Sequence, residues 1–146
     1  MDSMKNSLLF LLLTISLIGC SQKKNQEIKL IVDEHSSRMS VDWVGTYEGT
    51  MPCADCSGIE TMLTISEDNS YIITQSYQGK GGQIFEEKGL FQWDETGSII
   101  TLQREGEESK FHQYRVGENV LFKLDSNGNR INGDLSEFYI LKKIEI

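Results

Sequence analysis

From Trp43 to the C-terminus the chain repeats one pattern. Short runs rich in Val, Ile, Thr, Tyr and Phe alternate in polarity, and each ends in a cluster of Gly, Asn, Asp or Ser. Alternation at period two puts every second side chain on one face of an extended strand. Trp43, Gly45, Tyr47 and Gly49 share a face. Ile59, Thr61, Leu63 and Ile65 share the next, opposite Glu60, Met62 and Thr64. Tyr71, Ile73 and Tyr77 follow, then Phe85, Phe91 and Trp93, with Glu86, Lys88 and Gln92 on the other parity. Ile99–Leu102, Lys110–Val116, Asn119–Leu124 and Phe138–Ile144 complete the set. No segment past Trp43 carries a helical period. About eight strands at this spacing predict an all-β domain, an antiparallel up-and-down meander. An open meander leaves two unpaired edges and closure removes them, so the expected form is a lipocalin-like β-barrel. Trp43, Tyr47, Phe85, Phe91 and Trp93 are the candidate lumen-lining aromatics.

The first twenty residues have another texture. Lys5 precedes an apolar run from Leu8 to Ile18, interrupted by Thr14 and Ser16. Eleven residues fall short of the roughly 20 that cross a bilayer as a helix. The run fits the apolar region of a secretory signal. It ends in Leu17-Ile18-Gly19-Cys20, which resembles the bacterial lipobox. That resemblance implies a signal peptide over 1–19, cleavage before Cys20 and covalent lipid, palmitate included, on Cys20. Ser21 after the cysteine implies sorting to the outer membrane, with the domain in the periplasm or at the cell surface. Residues 20–42 carry four basic and four acidic side chains and one apolar cluster, Ile28 to Val32. They read as a lipidated N-terminus and flexible tether, leaving 43–146 as the barrel domain. His35 and Met39 in this stretch read as surface residues.

With Cys20 lipidated, Cys53 and Cys56 are the remaining thiols. They lie in Met51-Pro52-Cys53-Ala54-Asp55-Cys56-Ser57-Gly58, between the first two strands and so at one end of a barrel. Three chemistries fit two cysteines at this spacing. An oxidising compartment favours a disulfide. Two thiolates with the thioether of Met51 or Met62 suit Cu(I), and thiolates suit Zn(II), although His35 and His112 stand at no ligand spacing to the pair. Redox exchange wants a helix after the first thiol, and a strand follows here. Elsewhere, Gly79-Lys80-Gly81-Gly82 lacks a phosphate-loop pattern and reads as a hairpin tip. Asp125, Asn127 and Asn129 read as a turn, because Ser136 stands where a Ca²⁺ loop needs Glu. Glu105, Glu107 and Glu108 read as a solvated loop. No nucleophile stands in a recognisable His/Asp setting, so the chain reads as non-enzymatic.

Charge narrows the partners. Lys and Arg number 14 against 22 Asp and Glu, a net charge of −8. That balance repels a phosphate backbone, so nucleic acid is excluded as a partner. A lipocalin-like barrel also admits a small apolar ligand, which makes a carrier with a purely structural disulfide the alternative reading.

Val44-Gly45-Thr46-Tyr47-Glu48-Gly49 followed by Pro52-Cys53-Ala54-Asp55-Cys56-Ser57-Gly58-Ile59-Glu60-Thr61 resembles the N-terminal domain of the NlpE family of copper-resistance lipoproteins. Phe85-Glu86-Glu87-Lys88-Gly89 and Tyr139, Leu141, Lys142 and Lys143 extend the resemblance over 44–144. It implies a lipocalin-like barrel on an outer-membrane lipid anchor. It further implies roles in copper homeostasis and envelope-stress sensing, with an envelope stress sensor or another envelope protein as partner. Longer members carry a second, OB-fold domain, and the role tied to that domain is not expected of residues 44–144. The CxxC pair maps onto Cys53 and Cys56.

Overall fold

The computed structural model describes residues 36–104, 106 and 110–144. Cys20, the signal peptide, His35 and the Glu105, Glu107 and Glu108 loop lie outside the described residues. Eight strands run in chain order: β1 (Gly45–Met51), β2 (Gly58–Ile65), β3 (Ser70–Gln78), β4 (Ile84–Trp93), β5 (Ile99–Arg104), β6 (Lys110–Gly117), β7 (Val120–Lys123) and β8 (Ile140–Ile144). Each pairs antiparallel with the next, and β1 pairs with β8, so the sheet closes. The barrel expected from period-two alternation is the observed fold. Closure satisfies the backbone groups that an open edge would leave to solvent.

Turn chemistry sets the short connections. Asn69 and Asn119 adopt left-handed backbone, at φ 63° and 56°, between β2 and β3 and between β6 and β7. Asp94 Oδ1 accepts the N–H groups of Ser98 and Ile99 at 2.9 Å and so folds the β4–β5 turn back on itself. Asp125 Oδ1 accepts from the N–H groups of Asn127 and Asn129, which makes that segment the turn its composition indicates.

Inward positions from all eight strands form one core: Tyr47, Met51, Leu63, Ile65, Tyr71, Ile73, Phe91, Ile100, Leu102, Tyr114, Val116, Leu121 and Leu141. Outward positions include exposed Glu48, Glu60, Glu86, Lys88, Gln92, Arg115 and Lys142. A barrel spanning a bilayer presents an apolar band to lipid. This outer face mixes those polar and charged side chains with exposed Met62, Ile72, Ile84 and Leu90.

One end of the barrel is floored by the segment before β1. Helix α1 (Ser37–Ser40) is a single turn. Ser37 Oγ donates to the Val116 carbonyl at 2.7 Å, and the Arg38 N–H donates to the Gly97 carbonyl at 2.9 Å. Trp43 meets Phe91 and Trp93 edge-on, at 5.9 and 5.4 Å between ring centroids. The Tyr47 hydroxyl donates to the Trp43 carbonyl at 2.7 Å. Residues 36–42, the last part of the stretch expected to be tether, thus pack on the barrel. Polar composition hides this, because the contacts are made largely by backbone and by Ser37 rather than by an apolar run.

Candidate functional site

The opposite end is the mouth. In an up-and-down barrel the β1–β2, β3–β4, β5–β6 and β7–β8 connections all fall on it. The first of these holds Cys53 and Cys56, which are joined by a disulfide with Cα atoms 5.3 Å apart. It closes a loop of four residues, which stabilises the fold by no more than about 2 kcal/mol on chain-entropy grounds. The bridge therefore shapes the loop more than it holds the barrel.

Two contacts tie this loop to the β3–β4 hairpin. The Ser57 N–H donates to the Gln78 carbonyl at 3.2 Å, and the Lys80 ammonium pairs with the Asp55 carboxylate. The hydrogen bond from Lys80, then its charge, holds the Asp55 carboxyl below the usual carboxylate range. Both side chains are solvated, so the pair orients the loop and contributes little stability.

Sulfur and oxygen ligand atoms of Cys53, Asp55 and Cys56 lie within 4.8 Å of one another. In the bridged form neither sulfur is a thiolate, and the loop does not fit a soft cation. Reduction by an external dithiol adds two electrons and two protons and gives two thiols. Their thiolates, close in one short loop, fit Cu(I). The two methionines do not join them. Met51 is buried in the core, and its thioether is committed to packing there. Met62 faces outward on β2 between Glu48 and Thr74, four residues from the strand's start at Gly58. At the strand rise that is about 13 Å along the sheet from the loop. The same alternation that buries Leu63 turns Met62 to the outer wall.

The aromatic set divides. Tyr47 and Phe91 are core residues, and Trp43 and Trp93 are partly buried against them. These four fill the floor half of the lumen. Phe85 has the inward parity expected of it, yet is 54% exposed. β3 and β4 run out past the ladder that β4 makes with β5, which ends at the Gly89–Arg104 pair. Phe85 therefore stands at the rim, edge-on to Tyr77 with centroids 5.4 Å apart.

Between floor and rim the interior is charged. Glu87, Arg104, His112 and Lys123 all hold inward parity, with Phe91, Leu102, Tyr114 and Leu121 respectively. Glu87 Oε2 pairs with Arg104 Nη2 at 2.8 Å, and Glu87 Oε1 accepts the Tyr71 hydroxyl at 2.7 Å. His112 Nδ1 lies 3.0 Å from Lys123 Nζ, which also stands 5.3 Å from the centre of the Tyr114 ring. Burial, then the Lys123 charge, lowers the His112 imidazole to about 4. Burial lowers the Lys123 ammonium to about 8. The Tyr114 hydroxyl is buried and, among the described residues, has no hydrogen-bond partner. Burial pushes it above the ordinary phenol range. In the sequence His112 stands at no ligand spacing to the cysteines, and Glu87, Arg104 and Lys123 carry no motif. Alternation carries the signal: Arg104, His112 and Lys123 each sit two residues from a core residue on the inward parity, and Glu87 sits four from Phe91.

A family model described as the NlpE N-terminal domain matches residues 47–134. The chain belongs to the NlpE family. The Escherichia coli lipoprotein NlpE is 30% identical over 92 residues, covering 62% of this chain and 38% of that protein. The chain thus spans well under half the length of that curated relative. A crystal structure of a candidate lipoprotein from Shewanella oneidensis shares 46% identity at a TM-score of 0.68, covering 77% of this chain and 98% of that one. The crystal structure of the Cpx pathway activator NlpE from E. coli shares 28% identity at a TM-score of 0.52, covering 62% of this chain and 46% of that one. The chain thus carries an NlpE-type barrel, and its own Cys53–Cys56 pair is bridged.

Proposed function

We propose that this NlpE-family chain is a non-enzymatic envelope lipoprotein that acts in copper homeostasis and envelope-stress sensing through its Cys53–Cys56 loop. In this reading residues 1–19 are removed, Cys20 carries the lipid that anchors the protein to the outer membrane, and the barrel stands off that membrane in water. The single observation that carries the reading is the placement of both sulfurs in one short, solvent-facing loop at the barrel mouth. There they can be reduced and reoxidised without opening the core. The Cpx pathway activator named among the similar structures supports an envelope stress sensor as the partner.

The loop is a redox-gated soft-metal site: the bridged form excludes Cu(I), and the reduced form binds it between two thiolates. Titration of Cu(I) against a competing chelator tests this. Reduced protein should take up one equivalent and bridged protein none. Equal copper affinity in reduced parent and in a Cys53→Ser/Cys56→Ser variant overturns the site and leaves a structural disulfide.

A further inference from the structure

The charged layer inside the barrel has no part in the loop chemistry, and Lys123 stands apart within it. Glu87 is met by Arg104 and Tyr71. Among the described residues the polar contact of Lys123 Nζ is His112 Nδ1, at 3.0 Å. An ammonium has donors only, so in this pair Nδ1 accepts and the neutral imidazole carries its proton on Nε2. The Tyr114 ring faces the same ammonium, with its centre 5.3 Å from Nζ. No carboxylate meets Lys123 among the described residues. Asp125, which shares its cavity, turns Oδ1 onto the N–H groups of Asn127 and Asn129. A buried ammonium with no counter-charge gives up its proton more readily than one in water. Lys123 thus offers a nitrogen lone pair near neutral pH, where a surface lysine stays protonated.

Space lies beside that nitrogen. Lys123 and His112 line a cavity of about 510 Å³ at the mouth, with the turn that follows β7 on its other side. Leu124 is the one apolar residue in its lining, while Gln113, Ser126 and Asn127 bring amide and hydroxyl groups. A wall of that kind suits a ligand with its own hydroxyl groups better than an apolar one. The Asp125 charge disfavours an anion. An amine lone pair in a polar cavity is set up to attack a carbonyl carbon, as lysines do when burial weakens their ammonium form.

We infer that Lys123 is a covalent capture site for a small neutral hydroxyaldehyde, whose carbonyl carbon meets Nζ and whose hydroxyl group meets the polar wall of the cavity. The ammonium first releases a proton to water. The Nζ lone pair then bonds to the carbonyl carbon, and the C=O π pair moves to oxygen and takes up a proton. The carbinolamine loses that oxygen as water, carrying both amine hydrogens, and an imine remains. Nothing is oxidised or reduced, and capture is stoichiometric. The site is independent of the Cys53–Cys56 loop and is tested with the disulfide closed. The full chain in detergent micelles at pH 7 is given glycolaldehyde with cyanoborohydride, which delivers hydride to the imine carbon and fixes it as a secondary amine. Peptide mass spectrometry reads the initial labelling rate of each lysine, with Lys88, exposed on β4, as the reference. A fall from 10.5 to about 8 raises the neutral-amine fraction at pH 7 on the order of 100-fold. The cavity walls slow access, so Lys123 should still label at least about 10-fold faster than Lys88. Propionaldehyde, with a methyl group in place of the hydroxyl, should show that preference reduced about 5-fold, the worth of one hydrogen bond. In urea the two lysines should label alike, because the burial that weakens the ammonium is gone. Equal labelling of Lys123 and Lys88 in the folded chain, an unchanged preference in urea, or the same preference with both aldehydes overturns the proposal.

Discussion

Gly89 is where the barrel wall and its charged interior meet, and Gly89→Ala tests how rigidly they are coupled. The residue faces inward on β4 between Glu87 and Phe91. A Cβ there would sit 2.0 Å from the Gln103 carbonyl oxygen and 3.0 Å from a ring carbon of Tyr71. The first neighbour is backbone in a paired ladder, where Leu90 faces Gln103 and Gly89 faces Arg104. It cannot swing away as a side chain can. The second neighbour is the ring whose hydroxyl holds Glu87. Forcing an extra carbon into a packed site costs about 1–3 kcal/mol, with a backbone clash near the upper end. Loosening a hydrogen bond to a charged carboxylate adds about 1.5 kcal/mol. The variant should therefore lose roughly 3.5–4.5 kcal/mol. At about 4 °C per kcal/mol for a domain of this size, its melting temperature should fall by about 14–18 °C. Gly82→Ala is the control. No atom lies within 4 Å of that Cβ, and its φ of +68° leaves only a backbone penalty. That penalty is about 1–2 kcal/mol. Thermal unfolding followed by circular dichroism measures both. If Gly89→Ala melts no earlier than Gly82→Ala, the ladder yields to the added carbon and the rigid-wall reasoning is wrong.

Two further outcomes follow. His112 has a folded value of about 4 against 6.5 for the free side chain, so between those values the unfolded chain binds a proton that the folded chain refuses. Stability should rise with pH across that window and level off above it. Urea midpoints at pH 4.5 and pH 7 should differ less in His112→Gln than in the parent, and an unchanged difference would count against a buried neutral imidazole. Cys20→Ser should block lipidation and release the protein from membranes. Equal partitioning of variant and parent on fractionation would remove the anchor.

Period-two alternation determined the sheet, because one buried face fixes which residues turn inward and a one-residue slip would expose the whole core. It thereby determined the all-β class and the core membership of Tyr47, Leu63, Ile65 and Phe91. Position between two strands determined that Cys53 and Cys56 share a barrel end. Closure is different in kind. The β1–β8 pairing joins Thr46 to Ile144 across nearly the whole domain, and no local pattern encodes it. Tertiary structure alone also decided the depth of each inward residue. Parity says which way Phe85 and Phe91 point. How far β3 and β4 outrun their neighbours says that Phe91 is core and Phe85 is rim. The same holds for Glu87, Arg104, His112 and Lys123: alternation turned them inward, but only the register of four different strands brought them to one level. Electrostatics in that layer depends on distances between residues far apart in sequence. So a histidine and a lysine that look ordinary in the chain become a neutral imidazole and a weakened ammonium.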